Sequence, residues 1–282
     1  MARNSTIFLN LVKTLTPKKI DAILKAVGDC DNIFELLKKN LSEIPLITKK
    51  DIEIIAELKK TDALAKELER IHSENITVID IFDESYPKIL KEISNPPIVL
   101  YVKGNISILN DFLFSIVGTR IPTLYGIEMA ESFAAKLASL GITIISGLAR
   151  GIDTAAHKGA LKTGKTLAIL GSGILNVYPK ENKRLSDEIT EKGAIVSEFP
   201  LHEPPLKENF PRRNRIVSGL SRGVLVIEAA ERSGALITAH YALEQSREVQ
   251  FISQKLCKKI VESGRSPLEY LQILQDKILQ PA

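Results

Sequence analysis

From Phe112 onward, short apolar runs alternate with amphipathic stretches. The runs Phe114–Val117, Ile142–Ile145, Thr166–Leu170, Ala194–Val196, Val224–Ile227 and Val249–Ile252 carry at most one polar residue each, without the strict alternation of a half-exposed strand. They predict strands of a parallel sheet covered on both faces. Between the first two runs, Ile127, Ala130, Ala134, Leu137 and Ala138 recur at i, i+3 and i+4, the stripe of one helix face, and Gly141 stops it. Strand and helix in alternation predict an α/β domain whose right-handed crossovers gather every strand-to-helix loop along one edge. Upstream, Ile76–Ile81 and Ile98–Val102 read as two more strands, punctuated by Tyr86-Pro87 and Asn95-Pro96-Pro97. Before about His72 the pattern changes to short helices. One opens at Thr16-Pro17, carries Ile20, Ile23, Leu24 and Val27, and stops at Gly28. A second spans Ile33 to Leu41. A third begins near Thr48 with Ile52, Ile55, Ala56 and Leu58.

Composition narrows the chemistry. The 282 residues are 44% hydrophobic and 26% charged, ordinary for a globular chain, and leave room for one large α/β domain plus a small helical one. The net charge is only +4, so any anion site must come from local clustering. Cys30 and Cys257 lie far apart and belong to no ligand pattern, so reduced thiols and a cytoplasmic location are expected. His72, His157, His202 and His240 are scattered, and metal catalysis is not expected. There is no signal-peptide pattern and no apolar run long enough for a bilayer.

The predicted edge is rich in glycine and arginine. It carries Gly118-Thr119-Arg120, the loop Gly147 to Gly151 with Arg150 at its centre, and Gly171-Ser172-Gly173. Tyr178-Pro179-Lys180 and the long loop from Pro200 to Asn214 follow. Glycines let a phosphate approach backbone amides, and arginines grip it. Asp153-Thr154 is placed to cap the helix after Gly151. Lys207, Phe210, Arg212, Arg213, Asn214 and Arg215 form the most informative stretch: cations for phosphates around an aromatic ring on which an unstacked base can lie. One of these arginines is expected to be structural, because Ile216, Val217 and Leu220 must pack immediately afterwards. Gly171-Ser172-Gly173 lacks the third glycine of a dinucleotide fingerprint, since Asn176 stands there, and reads as a tight turn. No Walker loop and no nucleophile elbow occur. Glu198, Glu228 and Glu231 follow strands on the same edge, as general acids or bases or as partners of the arginines. Short helix pairs such as the N-terminal ones can hold DNA backbone, but Pro45–Thr48 lacks the glycines for close phosphate approach, which favours a packing or partner role.

Taken in order, these blocks resemble the DNA-processing protein A (DprA, or Smf) family. The resemblance runs from about Ile76 to Phe251. It rests on Tyr86-Pro87 with Leu90, Pro97–Gly104, Ile116–Arg120 with Tyr125-Gly126, Ser146–Asp153 with His157, Leu170–Gly173 with Tyr178-Pro179 and Asn182, Ser197-Glu198, Phe210–Arg215, and Glu228-Ala229 with Ser233–Ala235 and Thr238-Ala239. It implies an extended Rossmann-like domain with a mostly parallel sheet, preceded by a small helical N-terminal domain. The implied division is a helical domain at 1–73, of sterile-alpha-motif or helix-hairpin type, a DNA-binding domain at 74–255 and a helical tail at 256–282 without a winged helix. It also implies single-stranded DNA binding, protection of incoming DNA, loading of a RecA-type recombinase in natural transformation, and a homodimer. No catalytic residue, cofactor, metal or membrane is implied. The implied DNA-binding residues are Gly118, Thr119, Arg120, Lys207 and Phe210, completed by Gly147, Arg150, Gly151, Arg212, Arg213, Asn214 and Arg215. After Phe251 the chain departs from the family pattern: Ile252–Leu256 runs straight on where the family has a Pro-Gly turn and a glycine-containing loop. The alternatives are a nucleotide-processing enzyme resembling nucleoside monophosphate phosphoribohydrolases, with Glu228 or Glu231, Arg232 and Ser233-Gly234 at its centre, or a decayed member without activity.

Overall fold

The computed structural model describes residues 2–27, 41–230 and 233–252. The N-terminal segment contributes helices α1 (Asn4–Leu11), α2 (Pro17–Val27), α3 (Lys49–Lys59) and α4 (Ala63–Ser73). Most of the predicted helix from Ile33 to Leu41 lies outside the described residues, as do Cys30, Cys257 and everything after Ile252. Helix α3 starts where the sequence places it. Thr48 accepts from the Asp51 amide, and Asp51 Oδ2 accepts in return from the Thr48 amide at 2.8 Å. That reciprocal pair satisfies donors a helix start otherwise leaves open.

Strands β1 (Thr77–Asp80), β2 (Val99–Gly104), β3 (Leu113–Gly118), β4 (Thr143–Ser146), β5 (Thr166–Ile169), β6 (Ala194–Ser197), β7 (Gly223–Ile227) and β8 (Glu248–Ile252) share one sheet. Its order is β1-β2-β6-β5-β4-β3-β7-β8. The six strands from β6 across to β8 run parallel, while β1 and β2 join antiparallel at one side. Each predicted run falls on a strand, with ends displaced by at most two residues. Strand ends depend on where hydrogen-bond partners stop, which a hydrophobic run does not specify.

The connecting helices are α5 (Lys88–Lys91), α6 (Leu124–Ser139), α7 (Ile152–Thr163), α8 (Lys183–Lys192), α9 (Asn209–Leu220) and α10 (Gly234–Glu244). They cover both faces, which explains the continuous apolar strands. On one face Phe114, Ile116, Ile144 and Ile227 pack under α6 and α7, using Met129, Phe133, Leu137 and Ala156. Beside that cluster, Ala168 and Ile195 share a core with Leu185 and Ile189 of α8 and with Ile7, Phe8, Ile23 and Ile55 of the N-terminal helices. On the opposite face Val117, Ile145, Leu167, Val196 and Val224 pack against Ile216 and Leu220 of α9 and Ala239 of α10. The N-terminal helices are also tied to the sheet by hydrogen bonds. Thr6 Oγ1 donates to Asp80 Oδ2 at 3.0 Å, and Glu67 Oε1 accepts from the Leu201 amide at 2.9 Å.

Candidate functional site

Because the strands from β6 to β8 are parallel, the ends at Gly118, Ser146, Ile169, Ser197 and Ile227 open onto one margin of the sheet, where α/β sheets hold ligands. The loops after β3, β4 and β5 meet the first turn of α9 there. Between them lies a cleft lined by Arg120, Gly147, Ala149, Arg150, Tyr178, Pro179, Phe210 and Arg213. Three guanidinium groups thus reach it from three separate segments. Its enclosed volume, about 40 Å³, is far below the several hundred Å³ that envelop a small-molecule ligand. The shape is an open-sided notch that admits one group of a larger molecule.

Arg213 forms the floor and is only 4% exposed. Its Nη1 donates to the Gly147 carbonyl at 2.5 Å and to the Ile169 carbonyl, and its Nε donates to Asn214 Oδ1 at 3.1 Å. One side chain therefore ties the ends of β4 and β5 to α9. Burial pushes the guanidinium down to about 10, against the pull of nearby Asp153. A Cβ on residue 147 would lie 2.5 Å from Arg213 Nη2, so only glycine admits the guanidinium at this depth.

Behind the loop, buried Asp153 accepts from the amides of Gly147 at 3.1 Å and Ala149 at 3.3 Å. Burial raises its carboxyl pKa, and the Arg213 charge opposes that rise. This corrects the expected role of Asp153-Thr154. The residue before the helix is Gly151, at φ +76°, and Asp153 holds the loop rather than capping α7. Thr154 Oγ1 likewise turns back, donating to the Ala149 carbonyl at 2.7 Å. The amides of Gly147 and Ala149 are consequently spoken for, and the loop offers its guanidinium more than its main chain. Asn182 completes the brace, donating to the Leu148 carbonyl at 2.9 Å and to Thr154 Oγ1 at 2.8 Å.

The walls are exposed. The Arg120 guanidinium lies 5.9 Å from the Phe210 ring centre, within cation–π range. Phe210 is half-buried and backs onto Gly171, where a Cβ would stand 2.7 Å from the ring. The Tyr178 ring is 5.7 Å from Phe210 at an interplanar angle of 52°. Arg150 is paired with Glu181, both well exposed, and that pairing raises the Arg150 pKa. Lys207 is exposed on the loop ahead of Phe210.

The arginine motif is split between two jobs. Arg215, 4% exposed, directs Nη1 and Nη2 at Glu198 at 3.0 and 2.7 Å. Asn214 is buried, accepting from Arg213 and donating to the Gly234 carbonyl at 3.1 Å. Neither lines the cleft: from Arg213 onward α9 is buried all round, and these two side chains are engaged by the Gly234 carbonyl and by Glu198. The single structural arginine expected from the sequence becomes two. Arg212 is half-exposed, 3.7 Å from Glu198 and 5.1 Å over the Phe199 ring. Gly118 ends β3 and Thr119 follows it, with the Thr119 carbonyl accepting from the Ile152 amide at 3.2 Å.

Among the predicted carboxylates, Glu228 accepts from the Thr123 amide at 2.9 Å and from the Thr123 hydroxyl at 2.5 Å, fixing the start of α6. Both oxygens are thus engaged away from the cleft. Glu231 and Arg232 lie outside the described residues. Gly171-Ser172-Gly173 is a packed turn, as expected: a Cβ on Gly173 would collide with the Pro200 and Leu201 carbonyls. Sequence reasoning put Tyr178 on the margin without assigning it to the site, and it missed the bracing by Asn182. A signal existed for both, because Tyr178-Pro179 and Asn182 sit in the one loop between β5 and α8.

The profile of the family described as DNA recombination-mediator protein A matches residues 77–268. The chain belongs to this family. Family relatives include protein Smf of Escherichia coli, 50% identical over 62% of this chain and 47% of that one. The DNA processing protein DprA of Streptococcus pneumoniae is 41% identical over 71% of this chain and 72% of its own. The chain spans about half the length of the E. coli relative. Among solved structures, that of DprA from S. pneumoniae aligns with a TM-score of 0.75 at 34% identity, covering 94% of each chain. A Helicobacter pylori DprA structure, described as showing a single-stranded DNA binding mode of that protein, aligns with a TM-score of 0.62 at 27% identity. It covers 72% of this chain and 96% of that one. These family structures share the α/β architecture.

Proposed function

We propose that this chain binds single-stranded DNA along the carboxyl-end margin of its sheet. The observation that carries the reading is the convergence of Arg120, Arg150 and Arg213 on one notch beside the Phe210 ring. Phosphates contact Arg120, Arg150, Lys207 and Arg212, with Arg213 supplying fixed positive charge from the floor. A base lies on Phe210. Gly118, Thr119, Gly147 and Gly151 set the loops, while Asn214 and Arg215 hold α9 in place. Stacking and charge together suit an unpaired strand, since bases in a duplex are not available to an aromatic side chain. The H. pylori relative supports the choice of ligand, and membership of a recombination-mediator family supports the setting.

In this reading residues 74–255 form the DNA-binding domain, and residues 1–73 serve packing or a partner. The protein protects incoming strands and helps load a RecA-type recombinase, acts as a homodimer in the cytoplasm, and performs no reaction of its own. A nucleotide-cleaving role gains no support from Glu228, whose carboxylate is committed to Thr123. The test is titration of a 20-mer oligothymidine at two salt concentrations. Binding that weakens steeply with salt is expected. Absence of binding, or equal binding of a mononucleotide, overturns the reading.

A further inference from the structure

The notch holds a second aromatic surface whose position the proposed strand path has not used. Tyr178 is 43% exposed, whereas Tyr86 and Tyr101 are buried. One exposed ring is ordinary by itself. This one stands on the wall of a cationic cleft, 5.7 Å from Phe210, on a loop fixed at both flanks. On one side Ser172 Oγ donates to the Asn176 carbonyl at 2.6 Å, and Asn176 Nδ2 donates to the His202 carbonyl at 2.7 Å. On the other, buried Asn182 is locked to Leu148 and Thr154. The ring is presented at little further cost in chain entropy on binding.

We propose that Tyr178 is a second base platform, taking the nucleotide next to the one on Phe210. This rests on the single-strand reading above and deepens it. The two rings are too close for a base to slide between them, since a sandwich needs about 7 Å, twice the usual stacking separation. Each ring therefore offers its open side to a different base. At 52° the two bases cannot stack on each other, so the strand must splay between them. Arg120 on Phe210 and Arg150 on the loop before α7 are placed for the phosphates of that step. A splayed step favours bases that part easily, so pyrimidine tracts are preferred over stacked adenine tracts.

The experiment compares wild type, Tyr178→Ala and Tyr178→Phe on a 20-mer oligothymidine and on a 20-mer of the same backbone without bases. For Tyr178→Ala, about a tenfold loss on oligothymidine is expected, with no change on the abasic strand. Tyr178→Phe keeps wild-type affinity, because the ring and not the hydroxyl does the stacking. An equal loss on both strands, or unchanged oligothymidine binding by Tyr178→Ala, overturns the proposal. If wild type itself fails to bind oligothymidine, the single-strand reading falls first, which separates the two failures. Unchanged thermal unfolding of both variants shows that each is folded.

Discussion

The floor and the walls of the cleft use the same residue type for opposite purposes. On the floor and beneath it, Arg213 and Arg215 are buried and hydrogen-bonded. On the walls, Arg120 and Arg150 are exposed, and Arg150 shares its charge with an equally exposed carboxylate. A buried guanidinium satisfied by carbonyls or by a bidentate carboxylate is a fastener, and losing either partner strands a charge in a poorly solvated place. An exposed guanidinium gives up little when it exchanges water or a loose ion pair for a phosphate. Accessibility, not residue identity, separates the arginines that hold the fold from those left open to an anion.

The largest effect expected from breaking that contrast is on the floor. Glu198→Ala leaves Arg215 buried without its carboxylate and should cost about 3–5 kcal/mol of stability by chemical denaturation. A loss below about 1 kcal/mol would mean that Arg215 can reach water, and the division would fail. Next come the walls. Arg120→Ala with Lys207→Ala should weaken oligothymidine binding by about 100-fold, because two charge-assisted hydrogen bonds to phosphate disappear, with melting almost unchanged. The plot of log affinity against log salt should flatten by about 0.7 for each phosphate that is no longer neutralised. A double variant that binds like wild type places the strand elsewhere.

A third measurement concerns the packed interior behind the floor. His157 is fully buried, with Nδ1 2.7 Å from Thr166 Oγ1, and burial lowers its pKa to about 3. Its neutral form is the one that fits. The unfolded chain takes up a proton below about pH 6.5 while the folded chain does not, so stability falls as pH drops from about 6.5 towards 3. Asp153, raised by burial, works in the opposite direction, so the comparison must be with a variant that removes the histidine alone. Between pH 7 and 5, wild type should lose about 2 kcal/mol more than His157→Gln. Parallel pH profiles for the two would reject the assignment. The smallest effect is at the wall ion pair. Glu181→Gln frees Arg150 and should tighten DNA binding by no more than about threefold, most visibly at low salt. Weaker binding would show that Glu181 positions Arg150 instead of competing for it.

Much of this was legible because the information is local. Thr48 and Asp51 mark a helix start within four residues, and an uninterrupted run such as Val224–Ile227 declares a strand covered on both faces. A long-range consequence followed from topology alone: parallel strands bring Arg120, Arg150 and Phe210 to one margin although ninety residues separate the first from the last. Asp153 was misjudged because its partners, the Gly147 and Ala149 amides, compete with the helix start for the same carboxylate. Local sequence does not say which side wins.

The sequence by itself determined the alternation of strands and helices, the shared margin, and the stock of glycine and arginine placed there. Hydrophobic period and chain connectivity suffice for those. Only the tertiary structure decided which arginine faces inward, which amides are already taken, and that Tyr178 shares the notch with Phe210. Those outcomes depend on fractions of a helical turn and on contacts between segments distant in the chain, where packing and desolvation outweigh any local preference.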